Sequence, residues 1–281
     1  MPFRLYLIAT ILLIAAALGS LPAQAGVTRG VSIGSGLKVD IHAPDNKRGG
    51  GFLGFGRKRA PVIVYVHGGG WIRGTRAKVY RLPQFANARG WMVVSLDYRP
   101  VPRTNIDGQL NDVVKGIKWV QRNIGRYGGD PKRVAIMGHS AGSHLVALVA
   151  ARQRVKGLRG VIPNDVQAYD MVAYGGMRGS LPHVYAAAFG ANPRNWMRWS
   201  PVTYVRKGGR FPPHLILHSG GNIYDRRRTL SEGYASELRR HGTWVQVYGG
   251  RGYSHGAIMS RIGTKANVTR VVDKFLRRVF R

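Results

Sequence analysis

The chain has 281 residues, 44% of them hydrophobic and 20% charged. That is enough apolar material for a packed core, and it argues against wholesale disorder. Lys and Arg number 44 against 12 Asp and Glu, a formal net charge of +32. Such a field favours anionic partners and says nothing about the fold. Cysteine is absent, which excludes disulfides, cysteine-ligated zinc, thiolate nucleophiles and iron–sulfur clusters.

Residues 1–25 differ from the rest. Arg4 precedes an apolar run over residues 5–18, Gly19, Ser20 and Pro22 break it, and Ala23-Gln24-Ala25 supplies a small-x-small pattern. This reads as a secretory signal peptide cleaved after Ala25, giving an exported, periplasmic or extracellular protein. The run is short for a membrane span, which needs roughly 20 apolar residues. Residues 26–281 then form one domain.

In chain order, residues 38–42 suggest a short strand. Residues 47–59 are rich in Gly and Arg and read as a surface insertion. Within them, residues 51–58 miss the phosphate-loop pattern, because Arg57 and Lys58 stand where Lys and Ser or Thr are required. Residues 61–67 (PVIVYVH) form a continuous apolar run of the kind found in a buried strand. A helix is expected over 80–89, a second buried strand over 91–97, and a helix over 109–127 ended by Gly128-Gly129. A strand over 134–137 and an apolar helix over 143–152 follow. Residues 165–213 show no clear period. After them a strand (214–218), a helix (226–241), a strand (245–248) and a last helix (264–280) repeat the theme. This alternation predicts an α/β fold, a mainly parallel central sheet with helices on both faces. The aperiodic excursion is expected over the strand ends, where ligands bind.

The chemistry-bearing residues cluster around two glycine motifs. Residues 138–142 (GHSAG) form G-x-S-x-G between an expected strand and an expected helix, the context in which the serine is a nucleophile. A serine capping a helix is the plain alternative. Residues 67–71 (HGGGW) follow the first long strand directly. Consecutive glycines let backbone N–H groups converge on one developing oxyanion. The amides of Gly69, Gly70 and Ala141 are the expected donors.

Ser140 needs a base, and the base needs an orienting acid. In this chain order the acid precedes the histidine. Of His144, His183, His214, His218, His241 and His255, only His255 lies in a loop between the last strand and the last helix, so it is the expected base. The carboxylates between Ser140 and His255 are Asp165, Asp170, Asp225, Glu232 and Glu237. Asp225 is chosen because it follows strand 214–218 by a short loop.

With these residues in place, the chain resembles the α/β-hydrolases of the esterase/lipase group, close to the hormone-sensitive-lipase-like carboxylesterases and the kynurenine-formamidase-like enzymes. The matching segments are HGGGW (67–71), LDYRPVP (96–102), GGDPKRVAIMGHSAGSHL (128–145), SPVTYV (200–205) and the SHG loop around His255. The resemblance implies the α/β-hydrolase fold and hydrolysis of carboxylic esters through an acyl-enzyme. No metal and no cofactor are implied, and the partner is a small-molecule ester. It also implies Ser140 as nucleophile, His255 as base, and Gly69, Gly70 and Ala141 as oxyanion donors. Asp97, Arg99 and Asp130 match family positions read as structural. One position departs: the family's H-G-x-x-D reads HSGGN at 218–222, with Asn222 in the acid's place. Either Asp225 substitutes, or the protein is a weak or inactive pseudo-hydrolase acting as a basic binding protein. An amide-cleaving relative, an arylformamidase or a peptidase, would use the same machinery. No nucleic-acid recognition motif accompanies the charge, which leaves only non-specific contact with anionic surfaces.

Overall fold

The computed structural model describes residues 26–45, 58–220 and 226–281. The expected leader (1–25), the greater part of the glycine- and arginine-rich insertion, Asn222 and Asp225 lie outside the described residues.

The chain opens with β1 (Gly26–Gly34), β2 (Leu37–Ala43) and β3 (Ala60–Val66). Helix α1 (Leu82–Asn87), β4 (Met92–Leu96), α2 (Ile106–Asn123), β5 (Gly129–His139) and α3 (Ala141–Ala151) follow. After α3 come β6 (Leu158–Asn164) and four short helices: α4 (Met171–Arg178), α5 (His183–Phe189), α6 (Pro193–Trp199) and α7 (Pro201–Val205). The chain closes with β7 (His214–Ser219), α8 (Arg226–Arg240), β8 (Val245–Gly250), α9 (Ala257–Ser260) and α10 (Asn267–Val279).

The eight strands form one sheet in the order β1-β2-β4-β3-β5-β6-β7-β8. β2 runs antiparallel to both neighbours; from β4 to β8 every pairing is parallel. Strands buried on both faces need apolar side chains at every position, and β3 shows why. Val62, Val64 and Val66 pack into the core that holds α2, α3 and α8. Ile63 and Tyr65 point the other way, into the core with α1, α9 and α10. Helix α10 answers with one apolar stripe, Val268, Val272, Phe275, Leu276 and Val279, the i, i+4, i+7, i+8 pattern of a helix lying on a sheet. Asn105 caps α2 by accepting from the Gly108 amide, and Gly128, at φ 82°, ends the helical turn that extends it.

Two strands were not expected from the sequence. β1 is an edge strand whose pairing with β2 is interrupted by register shifts. β6 sits centrally, between β5 and β7, although Pro163 lies within it opposite Gly138. Proline cannot donate to the ladder, so β6 does not read as a central strand. Its placement matters because Asp165 is the next residue.

The three family-matching charged residues are structural. Arg99 binds Asp112 through both its Nε and its Nη2, and its backbone N–H also donates to Asp112. Asp97 accepts from Arg76, which also reaches Asp40. Asp130 caps its own turn through the Lys132 amide and Arg133.

Candidate active site

Ser140 stands on the turn between β5 and α3. Its φ of 55° and ψ of −121° lie in a region L-residues avoid, a strain of roughly 1–3 kcal/mol that persists only where the surroundings enforce it. They do. The Ser140 amide donates to the Asn164 carbonyl at the end of β6, and the Ser140 carbonyl accepts from His144. The flanking glycines make room: a Cβ on Gly138 would lie 2.1 Å from the Gly142 carbonyl oxygen, and one on Gly142 would lie 2.1 Å from that of Val66. Both glycines of G-x-S-x-G are therefore dictated by backbone-to-backbone approach. The plain helix-cap alternative fails on the same geometry, since the Ser140 side chain makes no capping bond.

His255, in the loop after β8, brings its Nε2 to 3.0 Å from Ser140 Oγ. Its Nδ1 lies 2.7 Å from Asp165 Oδ2. An Nδ1–H donating to the carboxylate leaves the Nε2 lone pair facing the serine hydroxyl, the tautomer a general base needs. The His255 side chain is 38% exposed, whereas that of Asp165 is fully buried.

The acid position corrects the sequence expectation. Nδ1 carries a single hydrogen, and Asp165 receives it; the expected Asp225 lies outside the described residues. Asp165 also sits at a positive φ, 64°. Its amide donates to the Leu217 carbonyl. Ser219 donates to it twice, from N to Oδ1 at 3.0 Å and from Oγ to Oδ2 at 2.6 Å. Arg227 Nε lies 3.4 Å from Oδ1. Burial works against a charge here, but His255, Arg227 and Ser219 outweigh it and hold the carboxyl below its ordinary range. The segment that departs from the family pattern thus contributes Ser219, which bonds a carboxylate delivered from the neighbouring strand.

The second residue of the nucleophile motif is also bonded. His139 is buried, and burial together with the adjacent His255 lowers its pKa to about 4. It is uncharged at neutral pH, and its Nε2–H donates to the His255 carbonyl at 2.9 Å. His255 is thereby held through its backbone by an uncharged ring.

The glycine loop after β3 is tightly built. Gly69 has φ 138° and its carbonyl accepts from both Ile72 and Arg73. A Cβ there would lie 1.8 Å from the Arg73 carbonyl oxygen, so only glycine fits. Trp71, almost fully buried, donates from Nε1 to His144 Nδ1 at 3.2 Å. His144 in turn donates from Nε2 to the Trp199 carbonyl at 2.7 Å. Burial keeps His144 neutral, with a pKa of about 4, so one ring ties the glycine loop to α3 and α6. Gly70 lines the cleft beside Ser140. Ala141 begins α3, where first-turn amides lack intrahelical partners.

The other histidines are elsewhere. His214 is buried against the Pro212 carbonyl, His218 faces the Ser219 carbonyl, His183 opens α5 and His241 follows α8. Over the strand ends lies a cleft of about 480 Å³, lined by Gly70, Trp71, Ser140 and His255, by residues of the excursion, and by Arg226 and Arg227 of α8. The excursion occupies the expected place, but as four short helices.

Residues 53–174 match the BD-FAE family. Esterase LipQ of Mycobacterium tuberculosis is 34% identical over 177 residues, which cover 57% of this chain and 42% of that protein. The isoprenylcysteine alpha-carbonyl methylesterase ICME of Arabidopsis thaliana is 37% identical over 237 residues, 78% of this chain and 53% of that protein. The chain spans about half the length of the curated relatives it matches. Among solved structures, a hyperthermophilic esterase from the archaeon Pyrobaculum calidifontis superposes with a TM-score of 0.69 at 25% identity, covering 92% of this chain and 87% of that one. An arylesterase superposes with the same TM-score at 21% identity, covering 94% and 89%. These neighbours share the α/β-hydrolase fold.

Proposed function

We propose that the chain is a member of the esterase/lipase group of the α/β-hydrolases and hydrolyses carboxylic esters through an acyl-enzyme on Ser140, a reading supported by the esterases it resembles. The observation that carries the reading is the contiguous relay Ser140 Oγ–His255 Nε2 at 3.0 Å and His255 Nδ1–Asp165 Oδ2 at 2.7 Å.

In this mechanism Ser140 Oγ attacks the ester carbonyl carbon while its proton passes to His255 Nε2. The amides of Gly69, Gly70 and Ala141 receive the charge that grows on the carbonyl oxygen. His255 then returns the proton to the departing alkoxide oxygen, and the acyl group remains on Ser140. Water, deprotonated by His255, attacks the acyl-enzyme; His255 passes that proton to Ser140 Oγ as the acyl–Oγ bond breaks, which releases the carboxylic acid and restores the serine. Asp165 stays ionised throughout and stabilises the imidazolium. Esters are preferred over amides in this reading because the relatives with printed activities are esterases. Folded wild-type protein is expected to hydrolyse 4-nitrophenyl acetate well above the buffer rate; a folded protein that does not would defeat the reading.

The same reading places the enzyme outside the cytoplasm, supported by the charged, apolar and small-residue sequence of residues 1–25. N-terminal sequencing of the secreted protein is expected to begin at Gly26. A mature protein beginning at Met1 or Pro2 and retained in membranes would contradict export.

A further inference from the structure

The cleft above Ser140 has an unusual charge for a site that takes neutral esters. Arg178 ends α4, and Arg226 and Arg227 begin α8; all three line the cleft with Ser140 and His255. Among the described lining residues there is no Asp or Glu. Tyr174 lines the same cleft, and the charge of all three guanidinium groups is felt at its hydroxyl. Arg227 has an anion already, Asp165, at 3.4 Å. Arg178 reaches the Ser180 carbonyl at 3.4 Å, a neutral contact. Arg178 and Arg226 are exposed, and both line the cleft. Gathering like charges is unfavourable unless an anion enters among them.

The neutral groups nearby suit such a guest. Tyr185 donates to Gln167 Oε1 at 2.7 Å, which fixes that end of the amide as acceptor and leaves the NH₂ end as donor. Arginine presents paired N–H donors that match a carboxylate. The chain's net charge of +32 adds a long-range field that draws anions toward the surface.

We propose that the cleft selects esters bearing a carboxylate or similar oxyanion, which Arg178 and Arg226 bind while Ser140 reaches the scissile carbonyl. The proposal rests on the ester-hydrolase reading above. The anion could stand on the acyl side or on the alcohol side, and two matched pairs distinguish them. On the alcohol side, 3-acetoxybenzoate is compared with 3-acetoxybenzamide. On the acyl side, mono-4-nitrophenyl adipate is compared with 4-nitrophenyl adipamate. Each pair exchanges a carboxylate for a neutral group of nearly the same size.

At low salt the anionic member of at least one pair is expected to show a kcat/KM about tenfold or more above its neutral partner, the size of one charge-assisted contact. The double variant Arg178→Gln/Arg226→Gln should bring that ratio toward one. The control Lys118→Gln/Arg122→Gln, on exposed positions of α2 that do not line the cleft, should leave it unchanged. Circular dichroism checks that each variant is folded. Ratios near one for both pairs in the wild type would overturn the proposal. So would a preference that survives the cleft variant, because the general field would then be its source. If the folded wild type turns over no member of either pair, the ester-hydrolase reading itself fails, and the selectivity inference falls with it.

Discussion

Ser140→Ala is expected to lower kcat toward 4-nitrophenyl acetate by roughly 10⁴–10⁶, the range seen when a serine nucleophile is removed from a triad. At 1.36 kcal/mol per tenfold this is roughly 5–8 kcal/mol of transition-state stabilisation. The loss arises because Oγ both forms the acyl bond and delivers its proton to His255, 3.0 Å away. KM should change little, since the hydroxyl adds little to ground-state binding. Residual activity over buffer is expected from the oxyanion amides alone. The fold should survive, because the turn is held by the Ser140 backbone bonds to Asn164 and His144. Alanine at φ 55° keeps the strain that serine already carries.

Asp165→Asn is the second large effect, with an expected fall in kcat of roughly 10³–10⁴, as in serine proteases whose triad aspartate becomes asparagine. Asparagine is nearly isosteric, so the cost is electronic. The imidazolium that forms on His255 loses its counter-charge, and an amide NH₂ facing Nδ1 disfavours the required tautomer. Ser219 would keep a carbonyl oxygen to donate to, but Arg227 would lose its anion. Some loss of stability is therefore expected, and thermal unfolding measured beside the kinetics separates it from the catalytic loss. Asp225→Asn is expected to change kcat by no more than a few-fold. If instead Asp225→Asn is the crippling variant and Asp165→Asn is nearly silent, the acid assignment is wrong.

Much of this architecture is legible in the sequence. The apolar runs of β3 and β4 follow from burial on both faces, and Gly69, Gly138 and Gly142 follow from backbone contacts closer than any Cβ allows. Ser140 and His255 are found by motif and by loop position. Asp165 is missed for one physical reason: the strand that precedes it does not read as a strand. β6 reads LRGVIPN, with Arg159 and Gly160 near its start and Pro163 near its end, and proline argues against a central strand. The excursion hides its helices differently. Segments of five to eight residues are too short to show a helical period. β1 carries glycines and register shifts instead of an alternating pattern. The asparagine at position 222 suggests decay only while the acid is sought after β7. With Asp165 bonded to His255, that ground for an inactive protein is removed.

The most direct test of the account is to treat the folded protein with a fluorophosphonate, which reacts with an activated serine, and to map the adduct by peptide mass spectrometry. The account predicts a single adduct on the peptide containing Ser140, absent after Ser140→Ala and formed much more slowly after Asp165→Asn. A folded wild-type protein that stays unmodified, or an adduct on a different serine, would contradict it.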